Sequence, residues 1–516
     1  MNWPSFQPLL EDGRRTKASR RMAVDSAPEQ LLQACAAYQR DVALIHLDTP
    51  PGDTREARLA EAMARVAETY TAAALEALRS QLTAAPASHQ EALRRLRSWA
   101  LALHVQSALL PLQREIQAQQ RTLVCLVDDE PIPLRASFTA MATETRRDRR
   151  AAIEAAVVLQ LRTLNELLEP QFQGLTSLAE HLGYASPEAL WTDILPAEPA
   201  AQQDIATHIL ASTREVYMDL LTWAVRRRLR IPPGQLRRHD ILALFTFPEY
   251  QSYYQPGTVI PGLQTCLRAM GLDPYVDGRL EWRERAAHFG PPAALALHIP
   301  DEIVLSYAQV SGLKGAEAFA GASGRALLWA YTSPDLPLVS RVLGDPAWPE
   351  SNAQLVAELL AEPRWLHHYF EVNVDSNYAA WRRLDRLFRL RRHLGRFLYT
   401  RHLYTTNSLA GASEAYRDIM MDACHVDYPQ EYYLLDWDWQ YTTLTVLRGW
   451  SLTCALLEAL REQCTADWFR DPAAGEWLRQ YWHSALGERV EDLRDHLIGQ
   501  SWDAELLAAA LVREDV

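Results

Sequence analysis

The chain has 516 residues, more than the roughly 250 to 300 at which a single hydrophobic core stops growing, so two or more lobes are expected. Its content of 48% hydrophobic and 23% charged residues is typical of globular proteins and excludes a largely disordered chain. The formal charge is 52 − 65 = −13, which excludes a general phosphate-binding surface of the kind that nucleic-acid-binding proteins carry.

The basic residues are almost all arginines, because Lys17 and Lys314 are the only lysines. A basic cluster at residues 13–21, GRRTKASRR, could contact nucleic acid or an anionic membrane, but a solvated terminus is the favoured interpretation. Neither a signal peptide nor an apolar run of about eighteen residues is recognised. The 6 cysteines form no C-x-x-C pair, which fits reduced thiols. We therefore expect a cytoplasmic protein without nucleic-acid or membrane partners.

Most of the sequence has a helical period. Apolar residues recur every three or four positions from Thr54 to Leu82, which predicts one long amphipathic helix. A second helical stretch covers residues 146–183, with a kink or break predicted at Pro170. Ser186, followed by Pro187, is typical of the start of another helix.

The helical period breaks between Pro291 and Gly312. Two short runs rich in Ile, Val and Tyr, Ala294 to Ile299 and Ile303 to Gln309, predict a small antiparallel sheet at about residues 292–310. The helical period then returns and continues through the C-terminal third, most clearly from Trp450 to Gln463 and from Trp468 to Trp482.

The predicted fold class is therefore mainly α and two-lobed, with one small antiparallel sheet. Candidate lobe boundaries are the loop Asp128 to Pro133 and the stretch Pro248 to Gly262, both rich in turn-forming residues. We divide the chain into an N-terminal helical region, 1–140, and a larger helical region with the sheet, 141–516.

Few short motifs carry chemistry. No G-x-x-x-x-G-K-[ST], G-x-G-x-x-G or G-x-S-x-G motif occurs, which removes the common nucleotide-binding and serine-hydrolase signatures. His367 with His368, and Cys424 with His425, contain possible metal ligands. Adjacent side chains on a helix or strand point in different directions, so structural or surface roles are favoured for both pairs.

A helix follows the predicted sheet, with the sequence SGLKGAEAFAGASGRALLWAYTSPDLP and then LGDPAWPESNAQLVAELLAEPRWL. This order resembles the zinc metallopeptidases of the thimet oligopeptidase and oligoendopeptidase F type. In that family a helix carries H-E-x-G-H-A, and a Glu about twenty-five residues later is the third zinc ligand. Gly324 and Ala326 match the motif's Gly and Ala, and Glu350 lies 350 − 325 = 25 residues beyond the second histidine position.

The resemblance extends over Glu144 to Val512 and implies a zincin scaffold with the motif helix at about residues 313–332. The chemistry departs from the family, since a zincin needs two imidazoles one helical turn apart and a carboxylate beside the first. Gly321 and Arg325 stand at the two histidine positions, and Ala322 stands at the general-base position. Arginine is always protonated and repels a divalent cation, so no cofactor is expected.

The family also carries tyrosines in a segment before a motif like LRGW, where a phenol can stabilise an oxyanion. Aligned on Leu447 to Trp450 without gaps, the tyrosine positions fall at Thr442 and Val446. Tyr441 lies one place away, and a one-residue gap would restore it. Tyr441 therefore stays a candidate cleft residue.

The third-ligand position, Glu350, would be left without a metal. We predict that Arg325 occupies the zinc position and pairs with Glu350 in a bidentate contact, because an unpaired buried carboxylate costs several kcal/mol. Glu317, two turns before Arg325 on the same helix face, is a possible second acceptor. The alternative is that both side chains face solvent in a decayed cleft.

Three functions remain open. The leading one is a catalytically inactive metallopeptidase-like protein, a pseudopeptidase, whose inherited cleft binds a peptide or protein segment or serves as a regulatory or assembly surface. The predicted strands Ala294 to Ile299 and Ile303 to Gln309 would supply a sheet edge for that segment. The oligomeric state is left open.

The second function is an active metallopeptidase with a non-standard zinc site, which would draw on dispersed histidines: His298, His367, His368 or His402. Their spacing resembles no known ligand set. The third is a structural subunit of a larger assembly, for which Trp437 and Trp439 would be contacts if they are exposed.

Overall fold

The computed structural model describes residues 26–498, and its fold is mainly α, as predicted. The first half contains α1 Ser26–Asp48, α2 Asp53–Arg65, α3 Ala72–Ala84, α4 Ala87–Thr122, β1 Val124–Val127, β2 Glu130–Pro133, α5 Leu134–Thr143, α6 Arg147–His181, α7 Pro187–Ile194, α8 Pro199–Ser212, α9 Arg214–Ala224 and α10 Arg238–Leu244. The second half contains α11 Val259–Ala269, β3 Leu280–Glu284, β4 Ala293–His298, β5 Glu302–Tyr307, α12 Gly312–Tyr331, α13 Leu338–Val342, α14 Ala347–Glu358, α15 Pro363–Phe370, α16 Tyr378–Thr406, α17 Ala412–Cys424, α18 Thr442–Gln463, α19 Pro472–Ser484 and α20 Val490–Ile498. The basic cluster at 13–21 and the C-terminal end of the family resemblance lie outside the described residues.

The predicted long helix from Thr54 to Leu82 is wrong, because the chain turns between α2 and α3. A short 3-10 turn, Ala67–Tyr70, separates the two helices, and the Thr71 hydroxyl caps α3 by accepting from the amide of Ala74 at 3.2 Å. The apolar face continues on both sides of this turn, so periodicity alone did not reveal it.

By contrast, of the predicted kink or break at Pro170 the break is wrong, because α6 continues past this residue. A proline removes only one backbone donor, and the buried face of this 35-residue helix extends on both sides of it. The helix ends before Gly183, whose φ is +82°, and Ser186 caps α7 by accepting from the amide of Ala189 at 3.2 Å. Both of those boundaries agree with the prediction.

The predicted sheet at 292–310 exists, but it has a third strand. β4 pairs antiparallel with β5, as expected, while β3 pairs parallel with β5, so that the strand order is β3-β5-β4. β5 is therefore the central strand, and the prediction that Ile303 to Gln309 offers an edge is wrong. Among the described residues the two edges of this sheet belong to β3 and β4.

A second, two-stranded sheet was not predicted. β1 and β2 form a hairpin, and the turn residues Asp128 and Asp129 have φ values of +52° and +65°. Two consecutive left-handed residues suit the tight hairpin turns that match the twist of the strands. The loop Asp128 to Pro133, proposed as a lobe boundary, is largely this turn and strand β2.

The chain forms two compact units, each assembled from separated stretches. Unit 1 contains residues 26–101, 249–374 and 448–498 of the described chain, and unit 2 contains residues 102–248 and 375–447. The boundary after Pro248 falls within the predicted stretch Pro248 to Gly262. The units do not coincide with the predicted regions 1–140 and 141–516.

The core of unit 1 is built around α12. One face of the sheet packs against α1 through Ala43, Leu47, Leu295, Leu297 and Val304. Both β4 and β5 also contact α12, and α12 packs along α14. The helices approach closely because position 324 is glycine: a Cβ there would lie 2.0 Å from the carbonyl oxygen of Asn352. This close contact fixes where the side chains of α12 and α14 meet.

Candidate functional site

Helix α12 carries the positions that resemble the family's motif. It begins at Gly312, where Gln251 accepts a hydrogen bond from the amide of Leu313 at 3.0 Å. Gly321 and Ala322 are buried, so the residue at the general-base position contributes only a methyl group. Arg325 is the residue of the motif that reaches outward, with 37% of its side chain exposed.

Arg325 forms an ion pair with Glu350. Its Nη2 donates to Oε2 of Glu350 at 2.7 Å, a short charge-assisted hydrogen bond. The contact is a single bond rather than the expected bidentate pair, because Oε1 accepts instead from Nε2 of Gln354 at 3.0 Å. Both oxygens of Glu350 therefore have a partner. The i, i+4 spacing of Glu350 and Gln354 on α14 is the sequence signal that could have revealed this contact.

The guanidinium of Arg325 lies over Gly321. A Cβ at position 321 would be 3.9 Å from Nη1 of Arg325 and 3.7 Å from Cβ of Ala353, which is ordinary van der Waals contact. Side chains on a helix point toward its N-terminus, so a residue covers the position four before it. The arginine thus fills the space beside the first histidine position as well as its own.

Glu350 is held by the start of α14 and by the part of α18 that belongs to unit 1. It lies in the first turn of α14, where the helix dipole favours a negative charge. A Cβ at Gly449 would lie 2.9 Å from Cγ of Glu350, so only glycine fits beside it. Thr453 donates to the carbonyl of Ser351 at 3.0 Å, which joins the two helices next to the ion pair.

The other two candidate residues do not join this pair. Glu317 is paired with Nζ of Lys314 at 3.2 Å, and among the described residues Arg325 makes no hydrogen bond to it. Tyr441 belongs to unit 2, where its ring is fully buried against Phe397 and Tyr404. Burial raises the pKa of the Tyr441 phenol well above its usual range. In this structure Tyr441 is a core residue of unit 2.

The dispersed histidines are not brought together as a metal site. Among residues 26–498, no group of three or more His, Cys, Asp or Glu side chains is placed to hold a metal ion. His298 instead faces Asp301, with 3.0 Å between Nδ1 and Oδ2. At the positions that resemble the family's motif, the side chains of Gly321, Ala322 and Arg325 supply no ligand for zinc.

The aromatic residues considered as assembly contacts pack against other aromatic residues of unit 2. Trp437 is 4% exposed and packs edge-on against Phe172, and Trp439 packs edge-on against Trp191. Trp437 is therefore buried, whereas Trp439 is half-buried. Within residues 26–498, no helix is long and apolar enough to cross a membrane.

Comparison with known proteins supports the fold and leaves the family open. No protein-family model matches the sequence, and no curated protein matches it. The fold is similar to that of a solved protein whose structure is titled "BsuCP Crystal Structure", with a TM-score of 0.58. The alignment covers 95% of this chain and 98% of that chain at 10% sequence identity. At such low identity the likeness establishes a shared mainly α fold and nothing about activity.

Proposed function

We propose that this protein is a catalytically inactive, metallopeptidase-like protein, and that its inherited cleft binds a peptide or protein segment. The proposal depends on the resemblance of α12 and α14 to the zinc-binding helices of the thimet oligopeptidase and oligoendopeptidase F family. The observation that carries it is the hydrogen bond of 2.7 Å between Arg325 and Glu350, at the positions of the second and third zinc ligands.

The ion pair balances the charge of Glu350 but supplies none of the chemistry that zinc would provide. Zinc hydrolysis needs a metal-bound water and a carboxylate that takes its proton. A guanidinium binds no water in that way and stays protonated at any physiological pH. The methyl group of Ala322 offers no base. Substrate cleavage by the family's mechanism is therefore not expected, whereas binding of an extended peptide needs no metal.

The outer edge of β4 is the proposed contact for such a peptide. Residues Ala293 to His298 make no backbone hydrogen bond beyond their own sheet within the described chain. An edge strand with free amide and carbonyl groups can accept an extended peptide as an additional strand. Because Leu295 and Leu297 are buried under α1, specificity would come from the other face and from the Arg325–Glu350 pair.

Rebuilding the motif is the sharpest test of the family relationship. The combined variant Gly321→His, Ala322→Glu and Arg325→His restores H-E-x-G-H-A, with Glu350 as third ligand. A side chain at 321 has room, since its Cβ would meet Ala353 no closer than 3.7 Å. We expect one equivalent of zinc by metal analysis in the combined variant and none in the wild type.

The matched control adds Glu350→Gln to the combined variant. Loss of the third ligand should lower zinc affinity by about tenfold or more. Equal zinc binding with and without Glu350, or no zinc uptake by a folded combined variant, would contradict the proposed relationship. Stoichiometric zinc in the wild-type protein, together with peptide hydrolysis, would instead favour an active metallopeptidase with a non-standard metal site.

Peptide binding is tested at the β4 edge with two neighbouring substitutions, Ala293→Pro and Ala294→Pro. Successive residues of a strand point their amides to opposite sides, so one proline removes a bond to β5 and the other removes an outward donor. The outward substitution should weaken binding of an unstructured peptide library by about tenfold while the melting temperature is kept. Unchanged binding in both variants and in Arg325→Ala would refute the inherited cleft and leave an assembly role.

A further inference from the structure

A cavity of about 440 Å³ lies in unit 1 between α15 and the turn at residues 467–470. This volume is within the range of about 300–1,000 Å³ that small-molecule pockets occupy. Its walls carry Arg364, His367 and His368 on one side and Asp467 and Arg470 on the other. The cavity has no part in the Arg325–Glu350 ion pair, and its side chains suggest a ligand of their own.

The sequence of α15 places the basic side chains on one face. Pro363 starts the helix, and Glu362 caps it by accepting from the amide of Arg364 at 3.2 Å. Trp365 and Leu366 are fully buried, which turns positions 364, 367 and 368 outward. These positions are related as i, i+3 and i+4, so their side chains share one face.

The opposite wall likewise places buried residues beside outward-facing charged ones. Trp468 and Phe469 are buried, at 6% and 1% exposure, and they leave Asp467 and Arg470 at the surface on either side. Phe469 also lines the cavity, together with the apolar side chains of Val372 and Val374. The cavity therefore combines an apolar floor with a charged rim.

The rim of the cavity carries a net positive charge. Arg364 has a long ion pair with Asp467, 3.5 Å between Nη1 and Oδ1, while Arg470 has no carboxylate partner in residues 26–498. Two guanidinium groups against one carboxylate leave one uncompensated positive charge among the residues that line the cavity. The whole chain, by contrast, has a formal charge of −13, so a local positive rim is not a reflection of its composition.

The contact between Arg470 and His368 indicates which nitrogen atoms can donate to a ligand. Nη1 of Arg470 is 3.4 Å from Nδ1 of His368. Arginine can only donate, so Nδ1 is the acceptor in this contact, and Nε2 is the ring nitrogen that can donate to a ligand. His368 is thereby prepared to donate from Nε2. A guanidinium at this distance also opposes a divalent cation, which argues against the metal role considered for His367 and His368.

We propose that this cavity binds a small organic oxyanion, a carboxylate or a phosphate carried on an apolar body. Arg470 is the principal contact for the oxyanion, and Nε2 of His368 is a second donor. The apolar body lies on Val372 and Val374. Arg470 retains free N–H groups in a planar fork that matches both kinds of oxyanion. The two guanidinium groups attract either anion before contact.

Calorimetric titration of the full-length protein with three probes tests this site: phenylacetate, phenyl phosphate, and neutral phenylacetamide. The two anions share the phenyl body and differ in the oxyanion, so the tighter one shows which oxyanion the site prefers. Phenylacetamide keeps the shape without the charge. We expect binding of at least one anion and binding of the amide weaker by about tenfold.

Two variants separate the site from a general charge effect. Arg470→Gln should weaken the tighter anion by about tenfold or more, and His368→Ala by a smaller factor. Arg479→Gln is the matched control, because Arg479 is an exposed arginine of α19 in unit 1 that does not line the cavity. It should leave affinity unchanged. Absence of binding by both anions, or equal losses in Arg470→Gln and Arg479→Gln, would overturn the proposal.

Discussion

Arg448 and Arg325, both in unit 1, pair with carboxylates in different surroundings. Arg448 is 4% exposed and donates to Asp345 at 2.9 and 2.6 Å and to Glu491 at 2.8 and 3.0 Å. Arg325 is 37% exposed and donates one hydrogen bond, at 2.7 Å, to Glu350. The first arginine is enclosed by two carboxylates, whereas the second touches one and faces solvent on its other side.

The difference separates a structural ion pair from one that a ligand could displace. A buried guanidinium joined to two carboxylates ties three chain segments together, and its removal leaves charges in a low dielectric. A partly exposed single contact is screened by water and contributes little to stability. Mutations that lower stability strongly at one arginine and weakly at the other would establish this distinction.

The largest effect is expected at Arg448. Arg448→Ala leaves Asp345 and Glu491 without their partner, and Asp345 is only 9% exposed. We expect a loss of about 3–5 kcal/mol in the free energy of unfolding, measured by urea denaturation. Arg448→Lys is the matched control, since it keeps the charge but not the fork, and it should recover part of the loss. A loss below about 1 kcal/mol in Arg448→Ala would remove the distinction between the two arginines.

The second effect concerns the helix contact that supports Arg325. Gly324→Ala would place a Cβ 2.0 Å from the carbonyl oxygen of Asn352, so α12 and α14 must separate. We expect a loss of about 1–3 kcal/mol by urea denaturation. Gly315→Ala on the same helix is the control, because nothing lies within 4 Å of its Cβ. The higher helix propensity of alanine should make that control neutral or slightly stabilising. Equal losses in both variants would point to backbone effects rather than the close contact.

The contacts of these two arginines differ in how far the sequence predicts them. The mainly α class, β4, β5 and α12 follow from periodicity, and the closeness of Arg325 to Glu350 follows from the resemblance of these two positions to the family's second and third ligands. The Arg448 cluster joins positions 345, 448 and 491 from distant parts of the chain, and no periodic signal connects them. Strand β3 was not predicted, because its five residues of mixed polarity show no clear alternation of apolar and polar side chains.

A third effect appears as the pH falls. Burial alone would raise the pKa of Glu491, but hydrogen bonding and the charge of Arg448 outweigh it and hold this pKa below its usual value. A carboxyl with a lowered folded-state pKa stabilises the protein above its unfolded pKa, near 4.3, and that stabilisation is lost as the pH falls through the folded value. We expect the wild type to lose more stability between pH 6 and about pH 3 than Glu491→Gln does, measured by thermal melts. Parallel pH profiles would contradict this account of the Arg448 cluster.

The smallest effect is expected at Arg325, and it completes the comparison. Removing a partly exposed guanidinium that makes one hydrogen bond should change the free energy of unfolding by only about 0.2–1 kcal/mol, with a further decrease at high salt. Arg325→Gln keeps a donor near Glu350 without the charge, so it separates hydrogen bonding from charge pairing. If Arg325→Gln and Arg325→Ala each cost less than about 1 kcal/mol yet weaken peptide binding, the pair serves recognition rather than folding. A loss comparable to that of Arg448→Ala would instead make Arg325 a structural residue, and its ion pair with Glu350 would then be explained by stability alone.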